Sequence, residues 1–262
     1  MNPDETPNTD RESYEKRIHE LEKELERYKA YFEIASTQGH GLRVPLSSVI
    51  GFSSVLLELT SLTEEQADDV KLILQNGYFL LETINHFINL AKLISSRMEL
   101  QPRPDNIREF ADGIIQNLSK KAVEKKITLS LFVEQEIAEL VQYDHRCLQI
   151  VLYDLVTDSI KFSQAGKVEV FLKLMQVETA DFLHFEVFSP QMEIPVAAIG
   201  RLQKFFDGTG NHTELISHIS LNLINAKLLC DLMQGKIWVE SQEQGVAFHF
   251  TIPYVPSVAD GH

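Results

Sequence analysis

His40 and Arg43 are the residues of this chain best placed by type and spacing to do chemistry. Three apart on a helix, they share one face. An imidazole with an ordinary pKa of ~6.5 is largely unprotonated near neutral pH and can act as a nucleophile. Arg43 could steady the oxygens of an incoming anion. Pro45 follows, and in a helix interior it costs roughly 3 kcal/mol; it reads as a tolerated kink or as one that exposes the His40 face. A second pair, Asp158 and Lys161, is also three apart, and reads either as a cation and phosphate site or as a solvated pair on a helix. His86 reads as a surface or interface residue. His212 and His218, six apart, give a weak metal signal that is better taken as loop, so no metal site is expected. Cys147 and Cys230 lie far apart without a CxxC pairing and fit packed helix positions, as inert thiols.

These groups need elements to hold them. Residues 1–12, with Pro3 and Pro7 among Asn and Asp, read as a disordered leader. From residue 13, Tyr14, Ile18, Leu21, Leu25, Tyr28, Phe32 and Ala35 follow at alternating four- and three-residue steps, a coiled-coil seam. The frame continues through Gly39, Leu42, Leu46, Val49 and Leu56, predicting one helix of about 45–50 residues. Thr63 is an expected N-cap with Gln66 at the capping-box position. A second seam runs through Val70, Ile73, Gly77, Leu80, Ile84, Phe87, Ala91 and Ile94. Residues 13–98 are therefore expected to form a helical hairpin, and two hairpins a four-helix bundle.

Past Pro102 and Pro104 the pattern changes to alternating helices and strands. Helices are expected over 106–123, 144–162, near 196–206 and over 218–233. Strands are expected over 127–134, 139–143, around 168–174 and 182–186, and over 236–240 and 246–253. A Gly/Asn/Thr-rich loop spans 207–213. The fold class is α+β: coiled coil and hairpin, then an α/β sandwich over 99–254 with helices on one face, then a tail at 255–262.

Composition narrows the function. The chain has 262 residues, 44% of them hydrophobic, enough for a real core. Its 24 Lys+Arg against 38 Asp+Glu leave a net charge of -14, which argues against nucleic acid and anionic lipid as partners. No apolar run nears the ~20 residues of a membrane span, and the polar start lacks a signal-peptide core. A cytoplasmic protein of a reducing compartment is expected.

The stretch from His40 to Phe52 resembles the phosphoacceptor box of sensor histidine kinases, matching at His40, Leu42, Arg43, Pro45, Leu46, Ser48, Ile50, Gly51 and Phe52. Residues 144–162 resemble the nucleotide-side helix of that family, and Gly235 to Ser241 with Phe248 to Pro253 resemble its closing strands. The resemblance covers roughly residues 30–254. It implies a GHKL-type ATPase fold for the second part, with His40 as phosphoacceptor, Arg43 as its phosphoryl or docking residue, and Asp158 and Lys161 as the surviving nucleotide-side positions.

The departures from the family pattern bear on activity. The acidic residue expected directly after the phosphoacceptor is Gly41, and the position that orients a hydrolytic water is Val44. The adenine-reading positions are Ser189, Gln191 and Glu193. The glycines that cradle the triphosphate align with Ser220 and Asn222, and the magnesium-holding Asn with Asp158. Loss of both glycines removes the close backbone approach a phosphate needs, so binding of ATP-Mg²⁺ is expected to be absent or very weak, with no other cofactor. The expected protein is a dimeric, histidine-kinase-like relay member that passes phosphoryl between His40 and the aspartate of a response-regulator receiver domain. Two alternatives stand beside it. One is a non-catalytic pseudokinase that dimerises with or sequesters a kinase or regulator. The other is an ATP-using kinase with a remodelled pocket.

Overall fold

The structure, a computed structural model, describes residues 6–96, 98–192, 194–209, 219–242 and 245–257. The chain divides into two compact units, Met1–Glu99 and Leu100–His262.

The first unit is a hairpin of α1 (Thr6–Leu59) and α2 (Glu64–Ile94). The helix starts earlier than expected: residues 6–12 are helical rather than a disordered leader, with Pro7 in the first turn, where its missing N–H breaks no helical bond. Residues 1–5 lie outside the described residues. α1 runs on through Pro45. At the start of α2 the expected capping box forms: the Gln66 backbone N–H donates to Thr63 Oγ1 at 3.2 Å, and the Thr63 N–H to Gln66 Oε1 at 3.0 Å.

The two helices run antiparallel, with a glycine on each receiving an isoleucine from the other. A Cβ added to Gly39 would lie 2.6 Å from Ile88 Cγ1, and one added to Gly77 would lie 2.9 Å from Ile50 Cγ1. Only a missing side chain permits that approach. The predicted α2 seam is divided by this packing. Gly77 and Ala91 are buried, but Ile73, Leu80 and Phe87 are exposed, while Ile88 and His86, outside the heptad frame, are buried. The burial of His86 rules out the surface half of its surface-or-interface reading. The exposed apolar residues form a further arc, with Leu42, Val49, Phe52 and Leu56 on α1. One stretch among the described residues, Tyr14–Leu59, has the length and apolarity to cross a membrane, contrary to the expectation that no run does. A bundle helix presenting apolar residues both to its hairpin mate and to another surface passes the same test.

The second unit is the α/β sandwich. In chain order its elements are β1 (Arg103–Asn106), α3 (Ile107–Glu124), β2 (Ile127–Val133), β3 (Leu140–Tyr143), α4 (His145–Phe162), β4 (Gly166–Val177), β5 (Ala180–Ser189), α5 (Val196–Phe206), α6 (Leu221–Leu232), β6 (Lys236–Gln242) and β7 (Gly245–Pro253). The main sheet has the order β2-β4-β5-β7-β6, with β2 and β4 parallel and every other pair antiparallel. β1, which the sequence reading did not include, pairs with β3. Residues 255–257 continue that small sheet instead of forming a free tail: the Gln142 N–H donates to the Val255 carbonyl and the Ser257 N–H to the Leu140 carbonyl, each at 2.9 Å.

Strand alternation sets the core. Val168, Val170 and Leu172 on β4 and Leu183, Phe185 and Val187 on β5 are fully buried, with Phe185 stacked on Phe250 at 4.5 Å. Asn106, Asp144 and Ser220 cap α3, α4 and α6 by accepting backbone N–H groups. The intervening residues form the other sheet face, where His184, Trp238 and His249 stack together at 5.0–5.3 Å between ring centres.

Candidate functional site

His40 projects from α1 into solvent. Its neighbour Gly39 is the buried glycine under Ile88, so the packing that forces a glycine there also fixes the height of the imidazole on the hairpin. At Gly41 a Cβ would meet nothing within 4 Å. Packing does not exclude a side chain there. Val44 is also exposed.

Arg43 is anchored across the hairpin: its Nε donates to Asn85 Oδ1 at 2.8 Å. The guanidinium is thereby oriented from α2. The sequence placed Arg43 beside His40 without seeing that clamp. The ordinary pKa of His40 is lowered, first by partial desolvation against the helices and then by the positive charges of Lys92 and Arg43. Lys92 had not been singled out. Its signal was the antiparallel register, which follows once Gly39 and Gly77 are recognised as the contact points.

In the second unit, Asp158 is 3% exposed, which corrects its reading as a solvated partner of Lys161. Lys161 is exposed and stands over the Phe162 ring at 5.5 Å. Both oxygens of Asp158 are already engaged. Ser220 Oγ donates to Oδ2 at 3.1 Å, and Asn222 Nδ2 donates to Oδ1 at 3.1 Å. Burial pushes the Asp158 carboxyl up to about 6, against the lowering effect of the Ser220 hydrogen bond and with the charge of Asp154 raising it further. Ser220 and Asn222, expected at the family's glycine positions, therefore close upon Asp158, expected at its magnesium position. The sequence shows each replacement separately; their mutual bonding depends on the fold.

Beside this clamp lies a cavity of about 240 Å³ with apolar walls, Phe162, Met192, Leu202 and Leu223 among them, and Arg201 also lines it. Ser189 is fully buried, and its hydroxyl has no hydrogen-bond partner among the described residues. Gln191 is turned to β4, where its Oε1 accepts the Lys167 N–H at 3.2 Å. Glu193, Gly210, His212 and His218 lie outside the described residues. No cluster of three metal-ligating side chains occurs among the described residues. Cys147 and Cys230 are buried, and burial first raises both thiols, Cys147 to about 12.

An exposed histidine on a helical hairpin, preceding a mixed sheet covered by helices, is the layout of a phosphoacceptor unit joined to an ATPase-type unit, as found in two-component signalling proteins. Residues 33–96 match the His Kinase A (phospho-acceptor) domain, and residues 143–256 match the histidine kinase-, DNA gyrase B- and HSP90-like ATPase family. The circadian input-output histidine kinase CikA of Synechococcus elongatus is 31% identical over 84% of this chain and 30% of its own length. The aerobic respiration control sensor protein ArcB of Escherichia coli is 29% identical over 86% of this chain and 29% of its own length. Hybrid signal transduction histidine kinase B of Dictyostelium discoideum is 29% identical over 83% of this chain and 11% of its own length. The chain thus spans less than a third of each of these relatives. Among solved structures, full-length ShkA in complex with AMPPNP superposes with a TM-score of 0.67 at 25% identity, covering 87% of this chain and 47% of that one. The chain belongs to the sensor histidine kinase family.

Proposed function

We propose that this chain is a phosphocarrier that exchanges a phosphoryl group between His40 and the aspartate of a response-regulator receiver domain, and that its ATPase-type unit does not use ATP-Mg²⁺. One observation carries the reading: His40 stands exposed on the hairpin, while Asp158 is buried and tied by Ser220 and Asn222. A magnesium ion at Asp158 would have to displace two hydrogen bonds and enter a site without the glycine approach a triphosphate needs. The residues present do not fit the group, and no step passes through it.

The transfer needs little from the hairpin. The unprotonated ring nitrogen of His40 attacks phosphorus, a P–N bond forms, and the P–O bond to the receiver carboxyl breaks to release a carboxylate. The proton on the other ring nitrogen stays on the ring and is later exchanged with water, so no base at position 41 is required. An acyl phosphate is already an activated donor. The exposed apolar arc of α1 and α2 supports a homodimer, in which two hairpins would form a four-helix bundle. The same arc supports a second reading, a non-catalytic pseudokinase that pairs with or sequesters a kinase or regulator. The remaining cavity supports a third, a kinase with a remodelled nucleotide pocket. The reading places the protein in the cytoplasm, with receivers.

The test is to mix the purified chain with labelled phospho-receivers of the same cell and, separately, with labelled ATP-Mg²⁺. Label reaching the wild type from a receiver, but not His40→Gln, establishes the carrier. Label from ATP restores the kinase reading. Label from neither leaves the pseudokinase, which light scattering as a stable dimer would support.

A further inference from the structure

We propose that Lys92 and Arg43 form a two-cation cradle for a phosphoryl oxyanion at His40, with Lys92 the second cation, supplied by α2. The inference rests on the reading of His40 as phosphoryl acceptor and deepens it.

The register of the hairpin carries the argument. Arg43 bonds Asn85, Gly39 receives Ile88, and Ile50 enters the hollow of Gly77, so every step forward on α1 is a step back on α2. Asn85, Ile88 and Lys92 lie at i, i+3 and i+7 and share one stripe of α2. Asn85 faces Arg43, one turn to the C-terminal side of Gly39, and Lys92 stands one turn beyond Ile88 in the opposite direction. His40, next to Gly39, therefore lies between the two cations along the hairpin. The positive charges of both Lys92 and Arg43 act on His40. Lys92 makes no ion pair or hydrogen bond with an acid among the described residues. Arg43 is different, because Asn85 occupies its Nε and leaves the terminal amino groups to point elsewhere.

This division suits the chemistry. A phosphoryl group carries about -1.5 to -2 at neutral pH and offers three acceptor oxygens. Arg43, held in one plane by Asn85, presents oriented donors, and Lys92 supplies a compact charge on a flexible stem that can follow the group as it arrives or leaves. Because Gly41 follows His40, no carboxylate at the next position repels the phosphoryl oxygens. Partial desolvation first, and then the two cations, lower the pKa of the imidazole, which favours the unprotonated form that attack requires.

The experiment uses the full chain with Lys92→Gln and Lys92→Arg, checking helicity and mass first. NMR titration of the His40 ring should show a higher pKa in Lys92→Gln and a wild-type value in Lys92→Arg. Titration with inorganic phosphate should shift the His40 resonances in the wild type and in Lys92→Arg, and at least about threefold more weakly in Lys92→Gln, the size of a partly exposed charge-assisted contact. Unchanged His40 titration and phosphate response in Lys92→Gln overturn the cradle. If both change as expected but no receiver labels His40, the cradle stands as an oxyanion site and the relay reading falls.

Discussion

Asp158 holds a carboxyl where its surroundings favour a neutral group. Its folded pKa of about 6 exceeds the ordinary 3.8. The folded chain therefore binds this proton more tightly than the unfolded one. The contribution to stability is fully present below 3.8 and is lost as pH rises through about 6. At pH 7.5 the buried charge costs on the order of 3 kcal/mol, two pKa units of differential interaction. Asp158→Asn removes the charge, though the amide can no longer accept from both Ser220 and Asn222. The expected gain at pH 7.5 is on the order of 1–2 kcal/mol in chemical unfolding. The gain should shrink on going below pH 5. Equal stability of variant and wild type at both pH values would show that the Asp158 charge is better solvated than its burial implies. The sequence showed that Asp replaces the family's Asn, but not that Ser220 and Asn222 would bond it. That depended on the N-cap of α6 landing against α4.

At the scale of elements, two glycines on one helix, two residues apart, should respond in opposite directions. Gly39→Ala places a methyl 2.6 Å from Ile88 and must part the helices or displace the isoleucine. It should cost about 1–3 kcal/mol as overpacking. Gly41→Ala meets nothing and should stabilise α1 by roughly 0.5–1 kcal/mol through helix propensity. Thermal unfolding followed at a helical wavelength checks both, and a destabilising Gly41→Ala would be contrary to the open space seen there. The heptad reading found both helices and put Gly39 and Gly77 on the contact line. It failed at Ile88 and His86 because it assumed one seam. α2 is apolar over a wider arc, and only the α1 register decides which part of it is covered.

At the scale of the whole molecule, the sheet's open face carries a pH-sensitive group. Burial first, and then the charge of His249, lower the pKa of His184 from 6.5 to about 4, with Lys173 lowering it further and Glu186 and Glu240 raising it. Burial likewise lowers His249, with Glu240 and Glu186 opposing. His184 Nε2 and His249 Nδ1 are 3.1 Å apart, so one donates to the other while the pair is neutral. As pH falls through 6.5 the unfolded imidazole takes its proton first. Stability is lost progressively until about pH 4, where the folded ring also protonates. The loss should be on the order of 1–2 kcal/mol, reduced because the His184 ring is partly solvated. Trp238 is the only tryptophan of the chain and stacks on both rings. Its fluorescence should therefore change with an apparent pKa near 4, and His184→Phe should flatten both that change and the pH dependence of unfolding. A Trp238 signal titrating near 6.5 would place the histidines in open solvent.

The sequence by itself determined the order and kind of nearly every element, because helices, strands and caps follow from local periodicity and chain chemistry. It also placed His40 on the long first helix, since the residues that surround it there are neighbours in sequence. The four-residue β1 escaped because Arg103-Pro-Asp-Asn carries no strand pattern, and its pairing with β3 exists only once the sandwich has closed. The same holds for the side-chain pairs between distant residues: Arg43 with Asn85, and Asp158 with Ser220 and Asn222, are 42 or more residues apart. Such pairs leave no periodic trace, because contact between distant residues is set by the register of packed helices and by how a cap meets its neighbour. Only the tertiary structure decides them.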